Sequence, residues 1–219
     1  MNRFFFRDLL ESNPKLLERM LAFNRTEKKD AALPTGGIWD AVQRQPDLVR
    51  LLSERRSSAP SAEDAYWAFT DESQRLAFFP AAVLERIGRL VSASAYAEDI
   101  ARTLSKSEVL AVKAFLGEDV YGYALTRGRY QVGSLRQTLI GASAGEPLSE
   151  RCRLLARQSL ETVRAGWPDE LRRRTKPLFG TVALPPAPPL DPALRQPLWH
   201  FMKKLILREL DNEWISYFD

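Results

Sequence analysis

Apolar side chains recur every three or four residues along most of the chain, the spacing of amphipathic helices. One helix is predicted to begin at Asn13-Pro14, because asparagine caps a helix N-terminus and proline suits its first turn, and to end at Asn24. Similar stripes start at Pro80 and Leu148. No stretch of useful length shows the two-residue alternation of a strand. The pattern predicts an all-α fold, an irregular multi-helix globular bundle.

Breaks in this pattern indicate the organisation of the chain. A run of prolines, Pro185–Pro189, cannot form a helix and predicts an extended spacer before a long C-terminal helix. Near the N-terminus, short helices are predicted at 38–43 and 46–56. The predicted regions are an N-terminal helical region (1–60), a central helical core (61–176), a Pro-rich linker (177–192) and a C-terminal helix (193–219).

One helix start carries a specific capping prediction. Ser105 and Glu108 have the spacing of a capping box, in which the hydroxyl and the carboxylate each accept a hydrogen bond from a free backbone N–H. Gly117 is the predicted stop of the same helix.

Composition limits the compartment and the class of protein. The chain has 219 residues, of which 45% are hydrophobic, and a single cysteine, Cys152, so it can bury a core but cannot form an internal disulfide. The start, Met1–Asp8, is charged and lacks the apolar region of a signal peptide, and no window has the roughly 20 uncharged residues of a membrane span. We therefore expect a cytoplasmic protein.

Candidate catalytic motifs are weak. Gly141–Gly145 matches G-x-S-x-G, but the preceding residues are predicted to be helical rather than a strand, and His200 is the only histidine available as a base or metal ligand. Phosphate- and dinucleotide-binding glycine motifs are absent from the sequence. We predict no enzyme activity, no catalytic or metal-binding residue and no cofactor.

Charge and aromatic residues supply the candidates for partner binding. The net charge is +4, and the one concentrated basic run is 172–176, which suits an anionic partner or, equally, a solvated helix end. Aromatic residues near the C-terminus suit an interface, although core packing is the default for each of them. The predicted partner-binding residues are Arg172, Arg173, Arg174, Trp199, Trp214, Tyr217 and Phe218.

The central block resembles a known family. Phe79–Leu90 is a proline-opened helix with a Leu-x-x-x-Gly-x-Leu core, and Leu116–Leu125 is a Leu-Gly turn followed by a short helix with tyrosines and alanine. This order is similar to that of the SctK (YscK/PscK-like) family of the bacterial type III secretion injectisome. The resemblance covers about a quarter of the chain and rests on helix-packing residues.

Two functional hypotheses follow. The resemblance implies a non-enzymatic adaptor of the cytoplasmic sorting platform, joining an SctQ-like pod protein to the cytoplasmic domain of an SctD-like inner-membrane ring protein. It would then lie in the cytoplasm, peripheral to the inner membrane. The alternative is a helical nucleic-acid-binding or regulatory protein that uses the basic run 172–176 and binds with strong salt dependence.

Overall fold

The computed structural model of the protein describes residues 12–24, 66–140 and 145–218. These residues form helices and irregular segments with no strand among them, so the predicted all-α fold is confirmed. The helices predicted at 38–43 and 46–56 lie outside the described residues.

Helices occur in each of the three described ranges. Two 3-10 helices (Glu72–Phe78 and Pro192–Leu194) and a π-helix (Ala124–Gly128) are interspersed with the α-helices. The α-helices are α1 (Pro14–Phe23), α2 (Ala81–Ala95), α3 (Ala97–Arg102), α4 (Lys106–Leu116), α5 (Glu118–Tyr123), α6 (Arg129–Gln131), α7 (Leu135–Leu139), α8 (Leu148–Ala165), α9 (Asp169–Thr181), α10 (Arg195–Glu209) and α11 (Asn212–Ile215).

The chain divides into two compact units, and the division does not follow the order of the sequence. One unit, here called the terminal unit, comprises Met1–Phe78 together with Asn212–Asp219. The other, the central unit, comprises Phe79–Asp211. The predicted regions 1–60, 61–176, 177–192 and 193–219 therefore differ from this grouping, because the last residues of the chain belong with the first.

In the terminal unit, α1 begins and ends where the sequence predicts. The Asn13 side chain accepts a hydrogen bond from the Leu16 N–H at 2.9 Å, and Pro14 occupies the first turn. Asn24, which is fully buried, closes the helix: its amide donates to the Met20 carbonyl at 2.9 Å. The same side chain donates to the Tyr66 carbonyl at 2.7 Å and accepts from the Tyr66 N–H at 2.6 Å. One asparagine thus joins two segments far apart in sequence.

The C-terminal segment completes the terminal unit. Asn13 donates to the Ser216 carbonyl at 2.8 Å, and Arg75 donates to the Tyr217 carbonyl at 2.6 Å. Arg19 and Glu213 form an ion pair at 3.1 Å. These interactions connect residues that are between 142 and 203 positions apart in the sequence.

The central unit is built on the packing of α2 against α8. Gly88 lies at their closest approach: a Cβ at this position would be 2.8 Å from the Ala156 carbonyl oxygen. The apolar face of α2 that the sequence predicts is buried, with Leu84, Ile87 and Leu90 almost inaccessible to solvent. A glycine is therefore required by the close contact of two backbones rather than by a turn.

Helix starts and stops near Gly117 are only partly as predicted. α4 begins after Ser105 and ends at Gly117, which has a φ of 83° that favours glycine. The capping box is wrong, because the Ser105 side chain makes no cap hydrogen bond. The Glu108 carboxylate instead accepts from the Leu148 N–H at 2.8 Å, which caps the start of α8. The tertiary contact takes the place of the local one.

The helix before the proline-rich stretch is longer than the predicted boundary at residue 177. α9 continues through Pro177 to Thr181. Its last turn is held by Phe179, which is buried against Trp167 with ring centroids 5.7 Å apart and whose carbonyl accepts from Arg157 at 2.9 Å. These contacts offset the cost of a proline within a helix.

Residues 182–191 contain no helix, as the prolines predict. Their ends are nevertheless attached to the central unit: Ala183 N–H donates to Glu85 at 2.6 Å and Leu190 N–H donates to Thr162 at 2.7 Å. Leu184 is buried. The stretch is therefore bound along the unit at both ends.

Candidate partner-binding surfaces

The basic run lies on α9, and carboxylates on the same helix bind part of it. Arg172 hydrogen-bonds to Asp169, and this bond lowers the pKa of the Asp169 carboxyl below its ordinary value. Arg174 pairs with Glu170 at 3.6 Å. Both pairs have the three- or four-residue spacing of neighbours on a helix surface. Two of the three predicted arginines are therefore bound by carboxylates.

Arg173 and Lys176 are the exposed remainder of this run. They line an open cleft of about 450 Å³ with Arg164, Arg172 and Asp169. Arg164 is not available there, since it pairs with Glu161 at 3.0 Å and donates to the Arg172 carbonyl at 2.9 Å. The basic surface that α9 presents is consequently small, and it includes an acidic group.

The predicted aromatic residues are mostly buried. Trp199 lies on the buried face of α10 and is 4% exposed. Tyr217 and Phe218 are also buried, whereas Trp214 is partly exposed and meets Tyr217 edge to face at 5.9 Å. Burial of Trp199, Tyr217 and Phe218 favours a packing role for these three side chains.

Residues considered for catalysis do not come together in the described structure. Residues 141–144 of the G-x-S-x-G match lie outside the described residues. His200 is exposed on α10, and no group of three potential metal ligands occurs within residues 12–24, 66–140 and 145–218. Cys152 is fully buried, and burial raises the pKa of its thiol to about 12. The thiol is therefore held in its unreactive, neutral form at neutral pH.

A further surface of the central unit, which the sequence does not predict, is a groove between α3 and the π-helix. We call it the Leu125 groove. It is a cleft of about 390 Å³ with a floor of small and apolar side chains and charged groups at its margins. Its lining residues are Ala97, Glu98, Ala101, Arg102, Ala124, Leu125 and Arg129.

The π-helix accounts for the outward position of Leu125. Ala124 and Gly128 are both buried, and a Cβ on Gly128 would lie 3.3 Å from the Tyr123 ring. The Tyr123 hydroxyl is fixed by a 2.7 Å hydrogen bond with Ser94. With these inward positions fixed, Leu125 faces outward and is 43% exposed. Such π-helical turns are rare and occur frequently at functional sites.

Positive charge predominates at the margins of the Leu125 groove. Arg102 is 78% exposed and lies 3.7 Å from Glu98, while Glu98 is also 3.5 Å from Arg136. Arg129 is exposed and lies over the ring of Tyr130, 4.4 Å from its centroid. Tyr130 itself is 69% exposed. The groove therefore combines exposed apolar surface with two accessible guanidinium groups.

The Leu125 groove was missed because the sequence predicts a regular short helix at this point. A regular helix gives no reason for Leu125 to be exposed. Gly128 carries the only available signal, since a glycine inside a helical pattern often marks a close packing contact.

Comparison of the chain with known protein families, with curated proteins and with solved structures gives no match in any of the three. Among the described residues, no helix is both long enough and apolar enough to cross a membrane. The observations on the molecule itself therefore define the class: an all-helical protein whose central unit presents an apolar groove with basic margins.

Proposed function

We propose that the protein is a non-enzymatic adaptor of a type III secretion injectisome, joining an SctQ-like pod protein to the cytoplasmic domain of an SctD-like inner-membrane ring protein. In this role it lies in the cytoplasm, peripheral to the inner membrane, and needs no cofactor. An adaptor requires a rigid body and exposed surfaces that fit its partners.

The proposal rests on the family resemblance, and the observation that supports it is that the residues carrying the resemblance lie in packed helices of the central unit. Pro80 precedes α2, whose Gly88 makes the close contact with α8. α4 ends in the Leu116-Gly117 turn, and α5 follows with Tyr123 buried. The residues that carry the resemblance thus have packing roles in the central unit, as expected for a family defined by its fold rather than by an active site.

The exposed apolar side chains add support. Leu104 is 96% exposed and Leu110 is 56% exposed, in addition to those at the Leu125 groove. Exposure of leucine and tyrosine side chains to water is unfavourable, so a partner that covers them gains free energy of binding.

The nucleic-acid alternative has weaker support. Phosphate binding gains from several accessible cations, yet Asp169 and Glu170 pair with Arg172 and Arg174. No observation on the described residues favours this alternative specifically, so we treat it as an outcome of the test below.

The test is an affinity purification of the tagged full-length chain from a bacterium that carries a type III secretion system, washed at moderate and at high salt. We expect the pod protein and the ring protein to be recovered at both salt concentrations, because contacts through apolar surface resist salt. A matched variant, Arg173→Glu/Lys176→Glu, is expected to recover the same partners.

Two results would overturn the proposal. The first is recovery of neither secretion protein under either condition. The second is recovery of nucleic acid at moderate salt only, lost in the Arg173→Glu/Lys176→Glu variant, which would establish the alternative function.

A further inference from the structure

We propose that the Leu125 groove is the docking site for an acidic amphipathic helix of a partner protein, which seats an apolar side chain on Leu125 and places carboxylates against Arg102 and Arg129. This inference rests on the proposed adaptor function for the identity of the partner, but not for the chemistry of the site.

The floor of the groove selects an apolar side chain. Ala101 and Leu125 are exposed, and Ala97 and Ala124 lie beneath them with side chains too short to fill the space. Small side chains on both walls allow another backbone to approach closely, and a leucine, methionine or phenylalanine of the partner would fill the volume between them. Tyr130 extends the apolar surface beyond the cleft.

The margins select negative charge. Arg102 is on α3 and Arg129 follows the π-helix, so each wall of the groove contributes one cation. Arg129 donates a hydrogen bond to the Tyr130 hydroxyl but has no ion pair within the described part of the chain. The weak contact of Arg102 is to Glu98, a carboxylate that Arg136 also binds. An incoming carboxylate can therefore bind either guanidinium group without displacing a strong pair.

The arrangement of anchor and charge fits a helix. On a helix, residues three or four positions from an apolar anchor lie on the same face, so carboxylates on both sides of the anchor can reach both walls. A phosphate backbone fits less well, because it gains nothing from the apolar surface of Leu125 and the alanines in the lining. The chemistry thus favours an acidic protein segment over a nucleic acid.

The test uses the full-length chain with a photo-cross-linking amino acid at position 125, expressed in a bacterium with a type III secretion system. Mass spectrometry then identifies the cross-linked peptide. We expect a peptide with carboxylates three or four residues from an apolar residue. The cross-link should be reduced at least about tenfold by Arg102→Glu/Arg129→Glu, the loss expected when an interface hot spot is removed.

Three controls test whether the cross-link is specific to the Leu125 groove and whether the variants fold. Arg173→Glu/Lys176→Glu makes the same change of charge on exposed residues of α9 and should leave the cross-link unchanged. A cross-linker at Leu110, which is exposed on α4 outside the groove lining, should not yield the same peptide. Circular dichroism of each variant confirms that the helices are retained.

The outcomes distinguish this inference from the proposed function. If the pod and ring proteins copurify but position 125 gives no cross-link, or gives a peptide without acidic residues, the docking inference is wrong while the adaptor proposal stands. Should the cross-linked acidic peptide belong to a protein outside the secretion system while neither the pod nor the ring protein copurifies, the adaptor proposal fails and the docking site remains. A cross-link to nucleic acid, or one insensitive to Arg102→Glu/Arg129→Glu, also overturns the docking inference.

Discussion

At the scale of single residues, the chemistry of a side chain depends on its surroundings more than on its type. A cysteine thiol is nucleophilic when ionised, yet Cys152 is fully buried in α8 and its thiol pKa rises to about 12. Asn24 is an ordinary helix stop in the sequence, yet its amide also pairs with both backbone groups of Tyr66. The stop was predictable from local chemistry, whereas the pairing across 42 residues was not.

The raised pKa of Cys152 predicts how stability depends on pH. When the pKa of a thiol is higher in the folded chain than in the unfolded chain, the thiol makes its full contribution to the free energy of unfolding below the unfolded-state pKa. That contribution is lost as the pH rises towards the folded-state pKa. Between pH 8 and 10 the free energy of unfolding should therefore fall by roughly 1.5–2 kcal/mol more in the wild type than in Cys152→Ala. Urea titrations of both proteins at the two pH values measure this difference.

The comparison of two pH values removes the effect of the cavity in Cys152→Ala, because the cavity left by the lost sulfur lowers the free energy of unfolding equally at both. In the native wild-type chain the thiol should also resist disulfide-exchange reagents at pH 8, and react readily once urea unfolds it. Rapid reaction of the native thiol, or the same pH dependence in both proteins, would show that Cys152 is not buried as described.

At the scale of elements, the sequence predicted what is local and missed what is set by neighbouring helices. α1 begins and ends as its cap residues indicate, and α4 ends at Gly117. The capping box was wrong because Glu108 caps α8 instead, and the Leu125 groove was missed because a π-helix depends on how Tyr123 and Gly128 pack against α2. Helix periodicity carries no information on such contacts between elements.

The contact between α2 and α8 gives the sharpest prediction at this scale. Gly88→Ala should lower the free energy of unfolding by about 1–3 kcal/mol, although alanine is the better helix former, because the new Cβ would meet the Ala156 carbonyl oxygen at 2.8 Å. Gly122→Ala on α5 is the matched control: nothing lies within 4 Å of its Cβ. There the substitution should be neutral or stabilise the protein by up to about 1 kcal/mol.

Chemical denaturation of the three proteins tests this pair. If Gly88→Ala and Gly122→Ala had equal stability, the two helices could not pack as closely as described.

At the scale of the whole molecule, α1 and the C-terminal residues 212–218 meet in the terminal unit, and this has a consequence for folding. α1 is only 10 residues long, too short to be stable alone in water. Its support includes the bonds from Asn13 to Ser216 and from Arg19 to Glu213. The C-terminal residues are therefore expected to hold the N-terminal helix in place.

Truncation after Asp211 should accordingly expose α1 to hydrogen exchange. The variant removes the carbonyls of Ser216 and Tyr217, which accept from Asn13 and Arg75, together with the buried Tyr217 ring. We expect amide protection in 14–23 to fall at least about tenfold, the equivalent of 1.4 kcal/mol, while α2 and α8 of the central unit keep theirs. Glu213→Gln is the control: it removes only an exposed ion pair worth at most about 1 kcal/mol, so protection should largely remain. Undiminished protection of α1 in the truncated chain would mean that α1 is stabilised without the C-terminal segment, and that the terminal unit does not depend on joining the two ends of the sequence.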